Sequence, residues 1–143
     1  SKYWDIIGWS PPSQEWAIKL VSLIKDSMTL LKDAIDQSKP FFLVPPIQKD
    51  GQDFLENKVS KASLKLIFDY LIGQKTAKLE KGKAKEIINE ISKMHNIKKG
   101  ILMKSLRVAF FGSLSGPDLI QSWELFSENK SDISRIERCL KSI

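Results

Sequence analysis

Apolar residues recur at helical spacing along almost the whole chain. Trp16, Leu20, Leu23 and Ile24 form one stripe behind Ser13, a hydroxyl residue placed to cap a helix start. Leu31, Ala34 and Ile35 face inward in a second helix over residues 29–37. The Lys39-Pro40 pair should end it, because proline lacks an N–H and crowds the preceding turn. Leu64, Ile67, Phe68, Leu71 and Ile72 give a third stripe, closed by Gly73. Ala84, Ile87, Ile88, Ile91 and Met94 give a fourth, with Asn96 placed as a left-handed C-cap. Residues 99–111 predict a strongly apolar central helix. Pro117 opens the next, with Leu119, Ile120, Trp123 and Phe126, and Ser131 caps a last one carrying Ile133, Ile136, Cys139 and Leu140.

Between these stripes the pattern is weaker. Residues 2–7 read as the tail of a helix stopped by Gly8, as in a domain cut from a larger protein, followed by Trp9 and a stiff Pro11-Pro12 connector. Residues 41–44 form a short apolar run expected to be extended, and residues 48–54 a polar loop. No hairpin signature accompanies that single run, so the fold class predicted is all-α. The polar, lysine-rich stretch 74–82 marks a boundary between two small helical subdomains, 1–74 and 75–143.

Charge changes the picture more than composition does. A chain of 143 residues with 42% hydrophobic and 28% charged residues carries a core and is not disordered by composition. Its net charge of +6 is confined to residues 75–104, which hold nine lysines and three glutamates; the remainder sums to zero. A basic segment on a neutral scaffold is the electrostatic footprint of a polyanion-binding surface. The alternative is a helical protein–protein interaction module whose lysines only solubilise it. No apolar run approaches the ~20 residues of a bilayer span, and no secretory signal is present. The single Cys139 sits on an apolar stripe and permits no internal disulfide; a cytoplasmic setting is expected.

Catalytic chemistry is missing from the pattern. His95 is the only histidine, so neither a histidine metal cluster nor a Ser–His–acid triad can be assembled. Gly82-Lys83 lacks the upstream glycine and following hydroxyl of a phosphate-binding loop. Glu86 and Glu90, four apart beside lysines, suggest surface pairing. The expectation is a binding module with no metal or cofactor of its own.

The candidate site is the stretch 98–120. Arg107 lies within the apolar helix, where a permanent charge must be paired or solvated. The Gly116-Pro117 turn should offer free backbone N–H groups beside it. Unstacked RNA bases are read by fixed donors and apolar walls, with lysines on the phosphates. Arg107, Gly116, Pro117, Leu119 and Ile120 supply the former and Lys98, Lys99 and Lys104 the latter. The competing assignments are core packing for Leu119 and Ile120, and an ion pair of Arg107 with Asp118 or Glu124. Arg135 and Arg138, three apart on the last helix, are expected to be ordinary surface residues unless they face the same groove.

Lys98-Lys99-Gly100, Leu106-Arg107-Val108-Ala109, Gly112 and Gly116-Pro117 resemble the C-terminal region of bacterial-type glutamyl-tRNA synthetases in order and spacing. Residues 23–34 and Phe41-Phe42 resemble the helical subdomain preceding it, more loosely. The resemblance implies the all-α anticodon-binding cage of a class I aminoacyl-tRNA synthetase, monomeric and attached to a catalytic domain that uses ATP and Mg. The HIGH- and KMSKS-type signatures of that domain are missing; Ser92-Lys93-Met94-His95 only echoes the second. By position, Arg107 matches the arginine that reaches anticodon bases. Gly116, Pro117, Leu119 and Ile120 match the segment that walls the later bases, although at Gly116 only backbone groups can form hydrogen bonds. Ser27 matches the place where members that reject the glutamine tRNA carry an arginine facing the first anticodon base. Serine lacks that charge and reach, which resembles the non-discriminating members that charge both the glutamate and the glutamine tRNA.

Overall fold

The computed structural model describes residues 4, 8–25, 31–73, 79–128 and 130–143. Every regular element among them is a helix: α1 (Gln14–Ile24), α2 (Leu31–Phe42), α3 (Lys49–Leu55), α4 (Lys58–Gly73), α5 (Lys83–His95), α6 (Lys99–Phe111), α7 (Leu119–Ser127) and α8 (Ser131–Ser142). The all-α expectation holds. The chain divides into two compact units, Ser1–Val44 and Pro45–Ile143. Residues 79–82, the described part of the lysine-rich stretch, lie inside the second of these, where α4 packs on α6 and α8.

In the first unit α1 packs against α2. Ser13 caps α1 as its position predicts, its Oγ accepting from the Trp16 N–H at 3.1 Å, and Trp16, Leu20 and Ile24 are buried. The expected end of α2 at Lys39-Pro40 is overturned. The helix runs through Pro40 to Phe42, and the Leu43 N–H still donates to the Lys39 carbonyl at 2.9 Å. Residues 41 and 42 are therefore a last helical turn. The Phe42 ring packs against Trp4, Trp9 and Trp16 at centroid distances of 5.0, 5.2 and 5.2 Å. Three aromatic pairs at about 0.5–1.5 kcal/mol each match the ~3 kcal/mol penalty of an interior proline. Pro40 lies so near the helix end that only the carbonyl of exposed Asp36 loses its helical donor.

The second unit is built around α6, which packs against each of α3, α4, α5, α7 and α8. Leu102, Ser105, Leu106, Val108, Ala109, Phe110 and Phe111 of this helix are all buried, which explains why its apolar pattern has no clean polar face. Small residues allow the closest approach: Ser60 and Ser63 of α4 are buried, and the Ser105 hydroxyl is within hydrogen-bonding distance of the Ser60 carbonyl at 3.2 Å and its own Ile101 carbonyl at 2.8 Å. Asn96 takes the left-handed cap expected of it. Ile72 and Met94, expected inward, are exposed at the edges of their stripes. The expected loop at 48–54 is instead the short helix α3, which buries only Gly51 and Leu55 and so leaves almost no periodic signal.

Gly112 ends α6, with φ of +74° and its N–H on the Val108 carbonyl at 2.8 Å. Its carbonyl accepts from the Gln48 N–H at 2.7 Å. A Cβ there would lie 2.1 Å from the Pro46 carbonyl oxygen, so both the backbone conformation and the space demand glycine.

Two expectations for α8 fail. Lys130, in the left-handed region, precedes the helix, so Ser131 is its first residue and not its cap. Arg135 is no surface residue: it is 2% exposed. Its guanidinium lies 4.1 Å from the Phe126 ring centre, Nη1 donates to the Phe110 carbonyl at 2.8 Å, and Nε donates to Ser131 Oγ at 3.1 Å. The cation thus closes the carbonyl end of α6, where the helix dipole favours positive charge. Burial, with Arg138 nearby, lowers its pKa to about 10. Beside it the Asp132 carboxyl is pushed up by burial, against hydrogen bonds from the Ile133 amide and the Trp123 indole, the latter at 3.1 Å. Cys139 is buried, and burial raises its thiol to about 11, as fits core packing.

Two stability measurements check this account. Gly112→Ala should cost more than the ~1–2 kcal/mol of a left-handed alanine, because Pro46 must also move, whereas Gly100→Ala, in open space on α6, should be neutral or stabilise by up to ~1 kcal/mol. Equal urea midpoints for the two variants would contradict the crowding at Gly112. Arg135→Met should cost about 1.5–3 kcal/mol for removing the charge-assisted bond to a buried carbonyl, and an unchanged midpoint would contradict the capping role.

Candidate nucleic-acid interface

The stretch 98–120 contains the basic start of α6, the arginine near its end and the turn that follows. Lys98, Lys99 and Lys104 are exposed, as phosphate-binding side chains must be. Arg107 emerges half-buried at the far end of the same helix. Its Nη1 donates to the carbonyls of Pro117 at 2.8 Å and Gly116 at 3.3 Å. Neither Asp118 nor Glu124 forms an ion pair with it among the described residues: Asp118 caps α7 through the Gln121 N–H at 2.9 Å, and Glu124 accepts from the Gly82 N–H at 3.5 Å. Nε and Nη2 of Arg107 have no partner among the described residues. The turn therefore fixes one edge of a guanidinium whose other donors remain available.

The turn itself differs from the expected set of free N–H groups. Asp50, on the first turn of α3, accepts from the Ser113 hydroxyl at 2.8 Å and the Leu114 N–H at 3.1 Å, while its other oxygen accepts from the Gly51 N–H at 2.8 Å. The Ser115 N–H donates to Ser113 Oγ at 3.3 Å. The Leu114 backbone bond, then the Ser113 hydroxyl, hold the Asp50 carboxyl below its ordinary range. So the N–H groups of residues 114 and 115 are used within the fold, and the carbonyls of 116 and 117 face the arginine. The turn orients Arg107 through its carbonyls.

Gly116 lies directly over Phe111, where a Cβ would come within 2.8 Å of the ring. Phe111 is 5.8 Å from Phe126 between ring centres, so the turn rests on the core. Leu119 is buried at 1% exposure, which favours packing beneath the turn over direct contact; Ile120 and Pro117 remain half-exposed. Asp50 was not singled out from the sequence. An acidic residue in a polar stretch 57 positions before Arg107, with Asp53 beside it, carries no local signal. Arg138, by contrast, is exposed and donates to the Pro45 carbonyl at 3.3 Å. Ser27 lies outside the described residues.

Among the described residues no group of three metal-ligating side chains is assembled, and no helix is long and apolar enough to cross a membrane.

Residues 2–140 match the family model described as "Anticodon binding domain". The chain is 84% identical over 142 residues to a glutamate–tRNA ligase of Prochlorococcus marinus (strain MIT 9312), covering 99% of this chain and 30% of the relative. It is 47% identical over 133 residues to the glutamate–tRNA ligase of strain NATL2A, covering 93% of this chain and 28% of that one. The chain thus spans about 30% of the length of the curated relatives it matches. A crystal structure of a glutamate tRNA ligase from Elizabethkingia meningosepticum CCUG26117 in complex with its amino acid superposes with a TM-score of 0.84 at 22% identity, over 99% of this chain and 27% of that one. At that identity the likeness bears on the fold.

Proposed function

The chain belongs to the anticodon-binding-domain family, and from that premise we propose that it holds the anticodon arm of a tRNA for a glutamate–tRNA ligase. Activation of glutamate with ATP and Mg, and its transfer to tRNA, would be the work of a catalytic domain joined to this one. The observation that carries the reading is Arg107: Nη1 is fixed by the Gly116 and Pro117 carbonyls, while Nε and Nη2 remain available for a base edge. Pro117 and Ile120 supply half-exposed apolar surface beside it, and Leu119 supports the turn from below. Lys98, Lys99 and Lys104 contact phosphates. The module acts as a monomer in the cytoplasm, and the division of labour into segments 1–74 and 75–143 follows the earlier and later anticodon bases. With Ser27 at the position facing the first base, the domain accepts both the glutamate and the glutamine tRNA.

Titration of anticodon stem-loops at several salt concentrations tests the two halves of the site separately. Arg107→Ala should weaken binding by about 1.5–3 kcal/mol at every salt concentration. Lys99→Ala or Lys104→Ala should weaken it for all sequences and make the salt dependence shallower, by roughly 0.7–0.9 in log–log slope for each phosphate no longer neutralised. A folded Arg107→Ala protein that binds like the parent would overturn the assignment. A flat salt dependence for the parent would favour a protein-docking module instead. For Ser27, stem-loops carrying the glutamate and glutamine anticodons should bind with similar affinity; strong preference for one of them would refute relaxed reading, and Ser27→Arg should introduce a preference for glutamate.

A further inference from the structure

The carboxylate of Asp50 has no part in base or phosphate binding as proposed above. It stands beside the turn of a surface that would meet a polyanion, where a negative charge opposes binding at long range. Its two oxygens take three hydrogen bonds, from Gly51, Ser113 and Leu114. The Ser113 hydroxyl, held by Asp50, in turn accepts the Ser115 N–H, so the constraint reaches the residue before Gly116. The same turn of α3 is seated on the end of α6: a Cβ on Gly51 would lie 2.8 Å from the Gly112 carbonyl oxygen, and that oxygen accepts from Gln48. The five residues 113–117 are thus held at one end by Asp50 and at the other by Arg107.

We propose that Asp50 is a positioning residue for base reading, holding the 113–117 turn so that the Gly116 and Pro117 carbonyls aim the Arg107 guanidinium. This rests on the assignment of Arg107 as a base-reading residue. Hydrogen bonds to an ionised acceptor are the strong kind, and a preformed arrangement of donors loses less on binding than one ordered by the ligand. Without Asp50, the Ser113 hydroxyl and the Leu114 N–H turn to water. The Arg107 partners then lose their fixed position, and discrimination between bases falls before general affinity does.

The test uses the intact chain and four stem-loops: one with the glutamate anticodon and three with a single anticodon base replaced. Melting curves establish that each variant is folded. The parent should discriminate on the order of tenfold at a base contacted by Arg107. Asp50→Ala should lose most of that discrimination, as Arg107→Ala does, with the salt dependence unchanged. Asp50→Asn removes the charge but keeps an oxygen able to accept from both Ser113 and Leu114, so it should restore most of the discrimination. Loss of discrimination equal to that of Asp50→Ala would assign the effect to charge and overturn positioning. Full discrimination by Asp50→Ala alongside its loss in Arg107→Ala would overturn the role of Asp50 and leave Arg107 standing. Full discrimination by both would remove Arg107 from base reading and the proposal with it. If Asp50→Ala does not fold, Ser113→Ala, which cuts one link of the same chain, takes its place with the same outcomes.

Discussion

The second unit depends on how closely two backbones meet at Gly112. The end of α6 has no side chain there, so the Pro46 carbonyl occupies the space a Cβ would fill. That contact brings Gln48 onto the Gly112 carbonyl and seats the first turn of α3 beside the helix exit. From this seat Asp50 reaches the turn after α6. On the other side Arg135 closes the Phe110 carbonyl from within the core. The exit of α6 is thus determined from two directions before Arg107 makes any contact of its own. A site built at such a place inherits the precision of the core, because side chains packed in a dense interior have few alternatives.

The fold was legible in the sequence wherever apolar residues were numerous and periodic. The stripes at Trp16, Ile67, Ile88 and Leu106 all lie in buried helix faces, and the caps at Ser13, Asn96 and Gly112 operate through local chemistry that a sequence displays. Failures arose where distant partners decide local structure. Pro40 is tolerated because Phe42 has three tryptophan neighbours, all of them more than twenty residues earlier in the chain. The helix α3 packs on α4 and α6 beside Gly112, and its seven residues are too few to show a period.

The site was legible in part. Arg107 and the turn at Gly116-Pro117 do come together, as their spacing suggested, but through carbonyls and not through free N–H groups. Sequence position cannot show which side of a peptide faces inward. Charge also misled at Arg135, since arginine looks like a surface residue unless an aromatic ring and an unpaired carbonyl await it in the core. Asp50 was invisible because its partners in the turn, Ser113 and Leu114, follow it by more than sixty residues, and nothing nearby announces the need for an acceptor.

The placement of charge along α6 has a kinetic consequence. Lys99 and Arg107 lie eight residues apart on α6, about 12 Å at 1.5 Å per residue, with Lys104 between them. That exceeds the screening distance of about 8 Å in physiological salt. In the proposed role, the lysines at the start of the helix would set how often an RNA arrives in a usable orientation. The arginine and its turn would set how long a correctly matched loop remains. Encounter rate and residence time would then be governed by different parts of α6, the Lys98-Lys99 start and the Arg107 turn, open to change one without the other.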